Sequence, residues 1–306
     1  MPDYGQDLRF GFFLEPSAAD AEQVLQTARL LDELGYDLIG VQDHPYQRRH
    51  LDTWSLLAVI LARTERITVF PDVANLPLRP PAVMAKAAAS LDRLSGGRFE
   101  LGLGGGAFWE PIAAMGGPVR APGEALAALA EAIEILRAMW SQQRSVRIRG
   151  EHYRVDGVHP GPPPAHPMGI WLGVYRPRAL ALAGRAADGW VPSMGFMPPR
   201  AAAAAGARID AAARAAGRDP SAVRRVYNLG GAVTAAAPDP AGDDDRAIVG
   251  PVDHWVAVLV HLAADLGFDS FLLGGEPDPA TLRTFIAEVA PAVRERVAAL
   301  RASRSA

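Results

Sequence analysis

Cysteine is absent from the chain, and lysine is nearly so. Without thiols there are no disulfides, no thiolate nucleophile and no Cys-ligated zinc or iron–sulfur centre. Lys86 is the single lysine among 31 basic residues, the others being arginine. Any Schiff-base or lysine-base mechanism would rest on that one residue, which falls in a helical pattern on a solvated or salt-bridged face. The arginine bias and the abundance of alanine fit a GC-rich coding sequence. Strong charge is also missing. The formal net charge is −3 over 306 residues, so no global field draws in nucleic acid or an acidic membrane surface. No run of roughly eighteen apolar residues occurs, as a membrane-spanning helix requires. Met1–Gln6 is short and polar, unlike a secretory leader. These absences point to a soluble cytoplasmic protein with a small-molecule substrate, no nucleic-acid partner and no membrane partner.

What is present is a large apolar fraction, 49% of residues, arranged in short runs. Arg9 to Leu14, Leu38 to Val41, Ile67 to Val73 and Phe99 to Leu103 read as strands, each separated from the next by a helical pattern. Ser17 offers an N-cap to the first helix, with Asp20 as the third-position acid, and Gly35 ends it. The second half continues with strands at Ile170 to Val174, Trp190 to Pro192, Arg225 to Val233 and Ser270 to Leu273. Helices are predicted at Ala125 to Trp140, Arg178 to Ala187, Ala201 to Ala216, Val252 to Leu266 and Pro279 to Leu300. The strands are continuous apolar runs, as parallel strands buried on both faces require. Eight strands alternating with helices predict a TIM (β/α)8 barrel formed by residues 1–306 as one domain. The Pro- and Gly-rich stretch Arg147 to Pro167 reads as an insertion after the fourth helix region, built on a small β-hairpin. Ala235 to Asp245 reads as a loop, acidic at its end.

In such a barrel, chemistry sits at the C-terminal ends of the strands. Those ends carry Glu15, the pair Asp43-His44, Asp72 to Asn75, Gly104 to Gly106, Gly173 to Arg176, Ser193-Met194 and Gly274 to Glu276. His44 can transfer a proton near neutral pH or hydrogen-bond a cofactor carbonyl; a loop-capping role is the plain alternative. Arg176-Pro177-Arg178 opens a helix, where free N–H groups and the helix dipole favour a phosphate. Pro at a helix start is also ordinary. Gly104 and Gly106 permit close backbone approach to a ligand, or simply a tight turn. Neither a dinucleotide fingerprint nor a Walker lysine is present. His50, His152, His159 and His166 lack metal-ligand spacing, so no metal site is expected.

The run from Asn75 to Gly106 resembles the central signature of the luciferase-like monooxygenase family. Pro81-Ala82, Ala89-Ser90-Leu91-Asp92, Leu94-Ser95-Gly96-Gly97-Arg98 and Leu101-Gly102-Leu103-Gly104 carry the resemblance. Ala187-Asp188-Gly189-Trp190, Gly35-Tyr36-Asp37 and Asp43-His44 match in place. The resemblance implies a flavin-type oxidoreductase with F420, or alternatively FMN, at the barrel mouth. It implies that Asp43 and His44 lie beside the cofactor ring, with His44 catalytic. A cis peptide at Asp72-Val73 or Val73-Ala74 would back the ring, so Val73, Ala74 and Asn75 become cofactor-binding candidates. Gly173, Val174, Arg176 and Arg178 would then hold the phosphate. A homodimer through barrel helices is also implied, and the alanine-rich helix Pro81 to Leu94 suits it. One departure stands out. The sugar-phosphate dehydrogenases of the F420 branch place a glutamate just after the strand-four glycines, where this chain has Ala107, with Glu110 three residues on. Sugar phosphate is therefore not assigned. Two rival readings remain: a non-redox phosphate-binding barrel lyase or isomerase using His44 with Glu15, and a non-catalytic flavin-binding protein.

Overall fold

In the computed structural model, which describes residues 3–235 and 247–305, the apolar runs become parallel strands. In chain order these are β1 (Arg9–Leu14), β2 (Leu38–Val41), β3 (Thr68–Pro71), β4 (Ala74–Asn75) and β5 (Leu101–Gly104). A hairpin of β6 (Val146–Arg149) and β7 (Arg154–Val158) follows, then β8 (Ile170–Leu172), β9 (Gly189–Trp190), β10 (Arg224–Val233), β11 (Ile248–Gly250) and β12 (Ser270–Gly274). The helices are α1 (Ala21–Leu34), α2 (Thr53–Arg63), α3 (Pro81–Ser95), α4 (Trp109–Ala114), α5 (Pro122–Trp140), α6 (Pro177–Ala186), α7 (Pro199–Ala215), α8 (Val252–Ala264), α9 (Pro279–Thr284) and α10 (Ala290–Ser305). The predicted terminal helix is interrupted by a π-turn at Phe285–Val289. The predicted acidic loop end lies outside the described residues.

Hydrogen bonding orders the strands β3-β2-β1-β12-β10-β9-β8-β5-β4. The two ends of this list are the two halves of one strand. Its first half pairs with β2 through Pro71 and Val41, and its second half pairs with β5 through Asn75 and Gly104. Val69 also donates to the Arg98 carbonyl at 3.0 Å and accepts from Glu100 N at 3.1 Å, beside β5. The ring is thus nearly closed, with the break at Asp72-Val73, where the peptide bond is cis. The predicted (β/α)8 barrel is the observed architecture, and an open doubly wound sheet is not. The hairpin β6–β7 sits off the barrel after α5, where the insertion was expected. Buried Asp92 of α3 anchors the return from that hairpin, accepting from Ala165 N at 2.6 Å and lying 2.8 Å from His166 Nδ1. Lys86 is exposed, and its ammonium donates to the Gly161 carbonyl at 2.9 Å.

One cap prediction fails. The N-cap of α1 is Asp20, without a side-chain cap bond, while Ser17 forms an isolated bridge with His50. The chain leaving β1 stays extended through Ser17, so Ser17 stands outside the helix. The predicted stop is right: Gly35 adopts φ +86° and returns its N–H to the Asp32 carbonyl.

Two cores form. The larger lies between strands and helices. The smaller fills the barrel and unites Leu38, Phe70, Trp171, Val191, Val226 and Leu272, with Phe13 and Val73 packed on its upper side. Phe70 and Trp171 meet edge to face at 4.9 Å. Such bulk fits only because other inward positions have no side chain. A Cβ on Gly102 would lie 2.1 Å from the Pro71 carbonyl oxygen, and one on Gly40 would lie 2.7 Å from Leu272 Cδ2.

Gly102→Ala therefore forces strand three away from β5, and thermal melts are expected to show a loss of about 1–3 kcal/mol or more. Gly123→Ala, in the first turn of α5 with open space around it, serves as the control. It should leave stability unchanged or raise it by up to about 1 kcal/mol.

Candidate functional site

The upper side of the inner core is the floor of a cavity of about 390 Å³ at the C-terminal ends of the strands. Phe13 and Val73 form part of that floor. Around it stand Gln42, Asp43, His44 and Tyr46 after β2, Asp72 to Asn75 of strand three, and Gly104 to Phe108 after β5. Gly173 and Tyr175 follow β8; Val191, Ser193 and Phe196 follow β9. A larger, shallower depression of about 530 Å³ lies at the opposite end of the barrel. Within it Arg137 and Arg218 are paired with Asp188, at 3.0 Å and 3.7 Å.

The cavity brings together eight of the residues singled out from the sequence: Asp43, His44, Val73, Ala74, Asn75, Gly104, Gly106 and Gly173. Three stand apart. Val174 is buried behind the wall, its carbonyl accepting from Trp190 Nε1 at 2.9 Å. Arg176 is the exposed N-cap residue of α6, with Pro177 at the first helical position, and Arg178 is exposed in the first turn. Glu15 does not join His44. It lies 3.6 Å from Arg49 Nε and 3.7 Å from His50 Nε2.

The bulge of strand three organises the wall. Val73 presses against glycines on two neighbouring strands: a Cβ on Gly104 would lie 2.7 Å from Val73 Cγ2, and one on Gly173 2.8 Å from it. Part of the glycine signal in the sequence is therefore room for Val73. Gly106 has a second reason to be glycine, a φ of +95°. The bulge is also tied to β2, because Asn75 N donates to Asp43 Oδ2 at 2.9 Å. Asp43 Oδ1 and Asn75 Oδ1 are buried without a protein partner.

Burial pushes the ionisable groups here toward their neutral forms. It raises the Asp43 carboxyl, against the pull of the Asn75 N–H and the Arg79 charge. Burial lowers the His44 imidazole, helped by the nearby His50 charge, so His44 is neutral at pH 7. The His44 ring stacks on Tyr46 at 5.3 Å and meets the edge of Phe108 at 5.4 Å. Asp72 is the extreme case. Buried at the cavity floor, with Oδ2 unpartnered, its carboxyl is raised by burial to about 7 despite a hydrogen bond with Asn228. Asn228 Nδ2 also reaches Ser193 Oγ at 3.3 Å, and Ser193 N donates to the Tyr175 hydroxyl at 3.2 Å. Sequence reading passed over Asp72, Tyr175 and Ser193 as site members although each was noted at a strand end. Phe108 and Phe196 carried no signal, since they lie beyond the strand ends on turns whose course only the fold sets.

Residues 8–250 match the family model described as luciferase-like monooxygenase. The chain belongs to the luciferase-like monooxygenase family. Among its relatives, an F420-dependent glucose-6-phosphate dehydrogenase of Nakamurella multipartita is 30% identical over 197 residues, 62% of this chain and 58% of that one. An F420-dependent hydroxymycolic acid dehydrogenase of Mycobacterium tuberculosis is 30% identical over 254 residues, 80% of this chain and 66% of that one. The alignment thus spans less than two thirds of either relative. In fold, this luciferase-like chain resembles an F420-dependent secondary alcohol dehydrogenase solved with an F420–acetone adduct. The TM-score is 0.82 at 18% identity, covering 94% of this chain and 99% of that one. No helix among the described residues is long and apolar enough to cross a membrane.

The raised Asp72 sets a pH dependence. Unfolded, its carboxyl ionises near 3.8; folded, it keeps its proton to about 7. Its contribution to stability is therefore full below about pH 4, declines as pH rises, and is lost above about pH 7. At about 1.4 kcal/mol per pH unit the total is on the order of 4 kcal/mol. Asp72→Asn, which cannot ionise, should gain stability relative to wild type between pH 5 and pH 8 in denaturant melts. An unchanged difference across that range would show that Asp72 ionises normally.

Proposed function

We propose that this chain is an F420-dependent oxidoreductase, residues 1–306 acting as one domain that moves a hydride between a small organic substrate and the deazaflavin ring. One observation carries the reading: the Asp43-His44 pair and the strand-three bulge form one wall of the barrel-mouth cavity in a member of this family. The residues fit such a group. Two buried oxygens, Asp43 Oδ1 and Asn75 Oδ1, lack protein partners at that wall, beside the apolar surface of Val73 and Ala74. The relatives' names support F420 over FMN.

The cofactor supplies the two-electron chemistry. Asp43 and Asn75 would hold polar groups of such a ring through their unpartnered oxygens. Val73 and Ala74 would back it with an apolar surface, for which Gly104 and Gly173 make room, and Gly106 would turn the chain beside it. Val174 shapes the wall from behind. His44, its imidazole kept unprotonated by burial, would accept the proton of a substrate hydroxyl. Arg176 and Arg178, at the start of α6, hold the phosphate together with the free N–H groups of that helix end. The lyase reading loses its proton-transfer pair, since Glu15 faces Arg49 and His50. We also infer a cytoplasmic homodimer. Val83 and Leu94 of α3 are 61% and 86% exposed, which supports pairing through that helix, and sedimentation at tens of micromolar, roughly the range of weak assembly, measures it.

Fluorescence titration should show F420 binding with a dissociation constant on the order of micromolar; FMN binding alone would make the protein an FMN enzyme. His44→Ala should lower turnover about 10²- to 10⁴-fold while changing affinity far less. Equal losses in both would make His44 a cofactor clamp instead.

Replacing the better-placed of Arg176 and Arg178 by alanine should weaken F420 about tenfold, with a salt dependence, as expected of one charge-assisted contact. The phosphate-free F420 core should be indifferent to either change. Equal weakening of both compounds would place these arginines on an ordinary solvated helix start.

A further inference from the structure

The composition of the cavity restricts what can enter it beside the cofactor. Among the described residues that line it there is no arginine and no lysine. Its formal charges are two carboxyls, Asp43 and Asp72, and its one imidazole is kept neutral by burial. An anionic group brought into this space would lose its water without gaining a cation, which is costly unless the group is paired.

The rim points the same way. Phe108 is 52% exposed and Phe196 77% exposed, although both line the cavity. Phe108 stands edge-on to His44 at 5.4 Å, and Phe196 edge-on to Tyr175 at 5.8 Å. Each exposed ring thus extends a cavity aromatic outward, one from the β5 side and one from the β9 side. A ligand with an apolar body gains by covering them, because large apolar side chains left in water are the surface that binding buries. With Asp43 and Asn75 assigned to the cofactor and Asp72 at the floor, the wall still offers the Tyr175 hydroxyl, the Ser193 hydroxyl and His44, beside Gln42 and Tyr46. They suit one hydroxyl or carbonyl.

We propose that the substrate is an uncharged cyclic or aryl compound carrying one hydroxyl or carbonyl, with its apolar body held between Phe108 and Phe196, and that sugar phosphates are excluded. The inference rests on the oxidoreductase reading for the identity of the site, but on the lining and the rim for the substrate class. It departs from the glucose 6-phosphate specificity named for several relatives.

The test is calorimetric titration with three neutral probes, acetophenone, 1-phenylethanol and cyclohexanone, and one anionic probe, glucose 6-phosphate. Each is titrated into cofactor-free and F420-saturated protein, in wild type, Phe108→Ala and Phe196→Ala. At least one neutral probe should bind. Each Phe→Ala change should weaken it roughly three- to tenfold, the scale of one aromatic contact, and glucose 6-phosphate should give no heat. In F420-saturated protein the weakening should appear in KM for the alcohol more than in kcat. Circular dichroism shows whether each variant is folded, and unchanged F420 affinity shows that the cofactor wall is intact. Glucose 6-phosphate binding as tightly as the neutral probes overturns the proposal. So does neutral-probe binding indifferent to both phenylalanines, or no neutral probe binding at all. If F420 gives no heat while the neutral probes still bind through the two phenylalanines, the substrate class stands and the cofactor reading alone fails.

Discussion

The close approach of Val73 to three glycines on neighbouring strands is the constraint on which the rest of this molecule depends. The strand that begins at Thr68 pairs with β2, breaks at Asp72-Val73, and resumes at Ala74 to pair with β5. For one strand to serve both neighbours it must lie tight against β5 and β8. Gly102, Gly104 and Gly173 make that possible, since a Cβ at any of them would collide with Pro71 or Val73. Barrel closure and the shape of the cavity wall are the same event. The side chain that fills the gap is also the side chain on which a bound ring would rest.

From that closure follows the electrostatic character of the site. The barrel interior below is filled by Phe70, Trp171 and aliphatic side chains, so groups at its upper edge have little water on one side. Asp43, Asp72 and His44 are each displaced toward the uncharged form, by burial in every case. The enclosure therefore disfavours fixed charge at the site and leaves oriented hydrogen-bonding groups around it. Arg176 and Arg178 lie outside the cavity at the start of α6, exposed to water. This division suits a ligand with a neutral reacting end and an anionic tail.

Much of the fold was legible because its signals are local. Arg9–Leu14 and Leu38–Val41 were read with the observed boundaries, since a strand buried on both faces leaves an uninterrupted apolar run. Gly35 was legible as a helix stop because a left-handed residue after a helix is nearly always glycine. Ser17 misled because a hydroxyl before a helical pattern is a weak signal; whether it caps depends on where the chain turns, and here it pairs with His50 first. In the site, Asp43 and His44 were legible from their place after a strand. Tyr175 and Ser193 were visible at strand ends but had no assigned role, because their hydrogen bond joins two strands and involves residues 18 apart.

By itself the sequence determined most of the secondary elements, the parallel barrel and the family, because each is written in local periodicity or in a contiguous motif; it missed β11, α4 and the split of strand three. Tertiary structure alone decided three further things. It showed that the glycines make room for Val73, that burial raises the Asp72 carboxyl, and that Phe108 and Phe196 both stand exposed at the rim of one cavity. The reason is physical. A side chain's ionisation and its partners are set by what surrounds it in space, and those surroundings come from strands far apart along the chain. The local pattern that makes a strand says nothing of its neighbours.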